Sequence, residues 1–395
     1  MRETATSRLS LRTASSAHNS VVVDEFPADS IPSLGAGCEC VDADGNVYPA
    51  QITELAGGTR LVGVYVERLD AGRDLSLEFR PAAAGDVSRG IELRDQPESG
   101  RVVVNYSGFL QTIYHYGPEN FKPRFYPLTA PCARMGDIDG DHTVYPKSIT
   151  DDSPPDHIWH RSLWYACGDL NGVDFYLENG GEGRIVHGEF ADLFSGPLFG
   201  GFREQLRWVA ADGRELLEDE RSFMIYRLKG QLRMFDIEAA FTALDEPVTF
   251  GQTNENALPL IRVADVIDEW DGGTITLADG TTGGKGSFAK RSPWADCSGP
   301  LVRRGGEPEV YGIAMLDHPS NRNHPSAWFA RSYGPLGTNL PFFDGALTLR
   351  PGETWRLKHR VIVHAGDPWQ AGIPDRFAEY ADPAELKGMS EGGVS

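Results

Sequence analysis

The chain has 395 residues, 40% hydrophobic and 24% charged, which suits a soluble globular protein with one large β domain or two ordinary ones. Its formal net charge is −20, and no basic stripe carries interleaved aromatics, so neither nucleic acid nor an anionic membrane surface is an expected partner. No run of about eighteen apolar residues occurs, so no transmembrane helix is predicted.

In chain order, residues 1–20, "MRETATSRLSLRTASSAHNS", are polar and lack the apolar core of a signal peptide. They read as a disordered tail. Residues 21–100 read as a small N-terminal β module, with "LVGVYVERL" as a strand, the Asp44-Gly45 pair as a hairpin turn, and a polar end at "RDQPESGR". From 101 to 390 period-2 patterns continue without a linker. "RVVVNYSGFLQTIYHY" reads as strand. In "MFDIEAAFTAL" Phe235, Ile237, Ala239 and Phe241 alternate with polar neighbours, and "ETWRLKHRVIVH" alternates through Trp355, Leu357, His359, Val361 and Val363. Asp212-Gly213 and Asp279-Gly280 mark further turns. The 45 glycines and 26 prolines leave little room for long helices, and the best helical candidate is "IPDRFAEYADPAELKG" near the carboxy terminus. These elements predict an all-β antiparallel architecture: one large sandwich carrying the site, with few short helices and no alternating βαβ units.

Several motifs carry less than they promise. Cys38, Cys40, Cys132, Cys167 and Cys297 lack metal-site spacing, and their odd number fits free thiols in a reducing cytoplasm. "DIDGD" at 137–141 resembles a calcium loop, but the twelfth position is Ser148 rather than an acid. "GTTGGKGS" at 280–287 departs from a phosphate loop because Gly286 follows Lys285 and Asp279 stands where the first glycine belongs. A hairpin turn is the simpler reading there. No dinucleotide fingerprint opens a helix, so no nucleotide cofactor is predicted.

Two segments concentrate reactive side chains. "DHIWHRSLWYACGDLNGVDFY" (156–176) holds Asp156, His157, His160, Arg161 and Trp164. "MLDHPSNRNHPSAWFARSYG" (315–334) holds Asp317, His318, Asn321, His324 and Trp328. Histidine is the side chain most easily poised for proton transfer near neutral pH, and a carboxylate fixes its tautomer. Arginine grips oxygens, and tryptophan offers a face to a pyranose ring. His359 falls in the apolar phase of its strand and reads as a core histidine, and His115 reads as structural.

The same residues carry a family resemblance. Asp156, His157, His160, Arg161, Leu163 and Trp164, followed by Asn171, Gly172, Val173, Asp174 and Phe175, resemble a motif of the bacterial domain family labelled "methane oxygenase PmoA". That motif runs Asp-His-Pro-His-His-Arg-Gly-Leu-Trp, then Val-Asn-Gly-Val-Asp-Phe-Trp. This chain departs at Ile158, Trp159, Ser162, Leu170 and Tyr176. A later block matches at Asp317 to Asn321, Trp328 and Tyr333-Gly334, and the resemblance spans most of residues 45–385. The label is not carried over as function, because that oxygenase subunit is an integral membrane protein. The resemblance implies instead a galactose-mutarotase-like β-supersandwich, and an association with sugar oxidoreductases that points to carbohydrate catabolism.

The expected function is therefore a cytoplasmic enzyme cleaving a glycoside or a 3-keto glycoside by hydrolysis or β-elimination. His160 or His157 would act as acid/base with Asp156 as orienter, and Arg161 would hold a substrate oxygen. His318 with Asp317 would form a second proton-transfer pair. Trp164, His187, Asn321, His324 and Trp328 would line the pocket, and Glu204 and Glu255 are further carboxylate candidates. A divalent metal on His157, His160 and His187 or His318 with a carboxylate is one alternative; a non-catalytic sugar-binding module is another. An oligomer is compatible with all three.

Overall fold

The computed structural model describes residues 8–34, 37–82, 90–131, 148–179, 183–302 and 307–388. Cys132 and the "DIDGD" segment lie outside these. The strands in chain order are β1 (Arg8–Arg12), β2 (Ala17–Pro27), β3 (Cys38–Val41), β4 (Val47–Glu54), β5 (Thr59–Leu69), β6 (Asp74–Pro81), β7 (Ile91–Gln96), β8 (Arg101–Tyr106), β9 (Phe109–His115), β10 (Arg124–Phe125), β11 (Leu163–Cys167) and β12 (Arg184–Phe194). There follow β13 (Phe199–Val209), β14 (Glu215–Tyr226), β15 (Leu232–Ala243), β16 (Val248–Phe250), β17 (Asn256–Arg262), β18 (Thr274–Leu277), β19 (Trp294–Val302), β20 (Pro308–Asp317), β21 (Trp328–Ala330), β22 (Pro335–Thr338), β23 (Leu347–Leu349), β24 (Thr354–Ala365) and β25 (Glu385–Gly388). The helices α1 (Gly284–Ser287), α2 (Leu340–Asp344) and α3 (Ile373–Ala381) are short.

The chain is all-β. One eight-stranded sheet runs β21-β22-β17-β11-β10-β9-β8-β7, and a second runs β12-β13-β14-β15-β24-β20-β19-β18. The two pack face to face, because alternate residues of both turn inward: Leu163, Tyr165 and Cys167 of β11 meet Phe235, Ile237 and Phe241 of β15 in one buried core. The paired strands are antiparallel throughout, and the Asp212-Gly213 turn joins β13 to β14 as expected. No helix among the described residues is long and apolar enough to cross a membrane.

A seven-stranded N-terminal sheet, order β2-β5-β4-β3-β6-β1-β25, wraps its own core of Leu9, Leu11, Val62, Val64 and Leu77. Three sequence expectations change here. Residues 8–12 and 17–20 are strand rather than disordered tail, because Leu9 and Leu11 alternate into that core and are fully buried. Strand β7, expected in the small module, pairs with β8 in the sandwich. The carboxy-terminal candidate helix stops at Ala381, and the chain then forms β25 against β1, so the last strand closes the first sheet.

The two units meet over an apolar seam. Val21 and Leu61 pack with Phe199, Tyr226 and Met234 from the sandwich's outer face and with Ile373 and Tyr380 of α3. The buried Gln51 side chain accepts from the Leu198 and Phe199 amides at 2.8 and 3.1 Å and donates to the Phe199 carbonyl at 3.0 Å.

Candidate active site

Residues 153–160 form a closed loop, not a strand. The His157 amide donates to the Pro154 carbonyl and the His160 amide to the His157 carbonyl, at 3.1 and 2.9 Å. The Ser153 amide then donates to the His160 carbonyl at 2.9 Å and closes the loop. Two successive turns repeat every three residues, so the His157 and His160 rings stack, 4.5 Å apart and 20° from parallel. Strand alternation would have pointed them oppositely.

His157 is half-exposed and its Nδ1 lies 2.9 Å from Asp156 Oδ2. The Arg262 guanidinium holds the same carboxylate from the other side, at 3.0 and 3.1 Å. Burial acts to raise the Asp156 carboxyl, but His157 and Arg262 outweigh it and keep the group below the ordinary range. An ionised carboxylate on Nδ1–H leaves Nε2 as the basic nitrogen of His157. Tyr333 stacks on His157 at 4.9 Å and 10°, and Trp159 meets it edge-on at 5.9 Å. Trp270, 72% exposed, lies 5.8 Å from Tyr333.

His160 differs. It is 3% exposed, its Nδ1 is buried without a partner among the described residues, and burial with the positive charges of His157 and Arg262 pulls it down to about 3. Asp156 is thus the orienter of His157, not of His160. Trp164 packs behind His160 at 5.6 Å and is 1% exposed, so it backs the site rather than offering a stacking face. Tyr176 meets His160 edge-on, while Glu255 precedes Asn256, at the end of β17 opposite Arg262. Burial, with Asp174 nearby, raises the Glu255 carboxyl. Arg161 is committed elsewhere: its guanidinium grips Glu178 and lies 3.6 Å from Asp152. Glu178 also holds the fully buried Lys122 at 2.9 Å; burial pulls that ammonium down to about 8.

The second half of the motif is turn chemistry. Leu170 and Val173 exchange backbone hydrogen bonds across Asn171 and Gly172, whose φ values of +52° and +81° belong to a tight two-residue hairpin. Asp174 then accepts from the Tyr176 and Leu177 amides at 2.6 and 3.0 Å.

The later block divides between two faces of its strand. Asp317 is fully buried and accepts from Asn321 Nδ2 at 2.7 Å and the Ser326 amide at 2.8 Å, with His324 Nδ1 at 2.9 Å and His359 Nε2 at 3.7 Å. Burial pulls His359 down to about 4. Asn321 pins β24 through the Lys358 backbone, and Trp328 is fully buried with its indole N–H on the Ser292 carbonyl. Both are buried. His318 points the other way, with Nδ1 on Ser320 Oγ at 2.7 Å, so Asp317 does not orient it. Glu204 lies inside the sandwich, clamped between His187 Nδ1 at 2.6 Å and the Tyr114 hydroxyl, and burial raises it despite both bonds.

The predicted residues therefore separate into an exposed face at 156–160, a buried knot around Asp317, and an interior pair at His187 and Glu204. Among the described residues no three His, Cys, Asp or Glu side chains converge to hold a metal. The thiols of Cys38, Cys40 and Cys167 are buried and pushed up to about 12, so none serves as a nucleophile.

A family model described as "Family of unknown function (DUF6807)" matches residues 101–378. The chain belongs to that family. The DUF6807 region contains every site residue named above, while strands β1 to β7 and β25 lie outside it. Its description carries neither an activity nor the methane-oxygenase label. No curated protein matches the chain. Among solved structures, it is similar to a protein in glycosyl hydrolase family 38 from Enterococcus faecalis, with 10% identity and a TM-score of 0.41, over 100% of this chain and 50% of that one. It is similar also to an alpha-mannosidase from Enterococcus faecalis V583, with 11% identity and a TM-score of 0.42, over 100% and 47%. The chain thus spans about half the length of either. What this DUF6807 member does has to be read from its own residues. Arg262 and Trp270 were not predicted, because Arg262 ends an otherwise apolar strand and Trp270 sits alone in a polar loop. The buried Asp296–His364 pair, 2.7 Å apart, also went unseen.

Proposed function

We propose that this protein is a carbohydrate-active enzyme that cleaves a glycoside, or a glycoside oxidised to its 3-keto form, at the face built around His157. One observation carries the reading: the Asp156–His157 pair, braced by Arg262, stands half-exposed among Tyr333, Trp159 and the exposed Trp270. An oriented imidazole supplies proton transfer, and open aromatic faces suit the apolar face of a sugar ring.

On a 3-keto glycoside the carbonyl acidifies the C2–H bond. His157 Nε2 takes that proton, the electron pair forms the C1–C2 double bond, and the C1–O bond breaks. The leaving oxygen takes a proton from the imidazolium. Water then adds across the double bond, its oxygen to C1 and a proton to C2 by way of the same imidazole, and completes hydrolysis; without it the product is that of elimination. His160, neutral and buried behind His157, holds the ring in its stack.

The test is product analysis by mass spectrometry and NMR on matched native and 3-keto glycosides, for the wild type, His157→Ala and Asp156→Asn. Loss of the carboxylate should lower turnover by about 10²–10⁴-fold, as when a histidine loses its orienting acid. Undiminished turnover in both variants rules the assignment out. Sugar binding without product from any substrate identifies a binding module.

A further inference from the structure

A second site lies on the other side of the sandwich, where the N-terminal sheet meets the outer face of β14, β15 and β24. A cleft of about 530 Å³ opens there, walled by β2 and closed by α3. That volume falls in the range of small-ligand pockets, which favour such junctions between units.

Its lining is mixed in a particular way. The floor is made of neutralised ion pairs: Arg360 grips Asp236 with two nitrogens at 2.7 and 2.9 Å, and Lys358 reaches Glu238 at 2.8 Å. Paired carboxylates and cations keep spare lone pairs and N–H groups in fixed positions, which suits vicinal hydroxyls. The facing wall is apolar at half-buried Val23, beside the seam residues Val21 and Leu61, and Met224, cross-strand from Asp236, adds an apolar patch to the floor. Two polar atoms at the cleft lack a protein partner among the described residues, the Tyr380 hydroxyl and His318 Nε2. Carboxylates outnumber cations along the lining, five to three, so an anion meets a net unfavourable field.

We propose that this cleft binds a neutral saccharide, with the ion-paired floor and the Tyr380 and His318 atoms on its hydroxyls and the valine wall on its apolar face. The assignment does not depend on the His157 face, and it gives His318 a binding role in place of the proton transfer expected from sequence.

The test is isothermal titration of the full chain with cellobiose, maltose, trehalose and glucuronate, with hydrogen–deuterium exchange as a second readout. At least one neutral disaccharide should bind, and glucuronate should bind more weakly. Read as slowed exchange in β2 and α3, binding should be abolished by Val23→Trp, which fills the cleft, and weakened about tenfold by Tyr380→Phe, the worth of one hydrogen bond. His157→Ala should leave this binding unchanged. Bound sugar should slow exchange in β2 and α3, a footprint that decides the matter even if Val23→Trp misfolds. No binding by any of the three disaccharides overturns the proposal. So does a footprint in β2 and α3 that survives Val23→Trp, a footprint confined to residues 153–160, or glucuronate slowing that exchange as readily as the neutral sugars.

Discussion

Replacing His160 by glutamine should change how stability depends on pH, by an amount that follows from its burial. His160 is 3% exposed, and burial, with the charges of His157 and Arg262, holds it at about 3, against roughly 6.5 in an unfolded chain. A depressed histidine contributes stability that is fully present above the unfolded value and is lost as pH falls toward the folded one. Between pH 7 and pH 5 the unfolded residue takes up about three-quarters of a proton and the folded one almost none. The wild type should therefore lose about 2 kcal/mol through this residue alone, approaching a slope of about 1.4 kcal/mol per pH unit. Asp268, raised to about 6 chiefly by burial, works in the opposite direction over the same range, so the raw wild-type profile is not diagnostic. The difference between wild type and His160→Gln is. Urea unfolding at pH 7, 6 and 5 measures it, with equal m-values confirming that the same transition is compared. The wild type should lose about 2 kcal/mol more than the variant between pH 7 and pH 5. Parallel profiles would mean that His160 titrates normally in the folded protein. It could then exchange protons with substrate, and the assignment of that role to His157 would fail.

Three further outcomes follow from the geometry. Trp270→Ala should raise KM for a sugar substrate while leaving the melting temperature unchanged, because the side chain is 72% exposed and supports no core; a lowered kcat at constant KM would contradict its role as a platform. Asp317→Ala leaves Asn321, His324 and the Ser326 amide without their acceptor and should cost about 3–5 kcal/mol in urea unfolding; a loss under about 1 kcal/mol would show that the knot is not structural. A Cβ on Gly63 would overlap the buried Phe199 ring at the seam between the N-terminal sheet and the sandwich. Gly63→Ala should therefore destabilise by about 1–3 kcal/mol, visible as a lower melting temperature, and an unchanged melt would mean that the seam gives way freely.

The all-β class was legible because alternation is a direct consequence of pleating: Phe235, Ile237, Ala239 and Phe241 all enter the sandwich core as their phase required. The short "RLSLR" strand was missed because two leucines give too brief a pattern to stand out in a polar segment. The closing of the N-terminal sheet by β25 could not be read at all. It pairs Leu11 with Leu386, and no local pattern encodes a partner that far along the chain.

The site was less legible, for a related reason. Alternation separates neighbours, and the Asp317–His318 pair, which looks like a unit in sequence, is sent to opposite faces: Asp317 is buried while His318 turns to the cleft. The turn at 154–160 does the reverse and brings His157 and His160 together, although a strand reading sets them apart. What then distinguishes a working pair from a structural one is exposure, which sequence does not give. His187–Glu204, His324–Asp317 and His364–Asp296 each join a histidine to a carboxylate that is fully buried, and there the charge serves to satisfy a desolvated group. In Asp156–His157 both partners keep substantial exposure, 40% and 32%, and Arg262 anchors the carboxylate from behind without covering the ring. A pair that needed only internal satisfaction would gain nothing from staying open beside three aromatic rings. The open geometry is what proton exchange with an outside molecule requires, and it is the reason His157 rather than His160 carries the proposed chemistry.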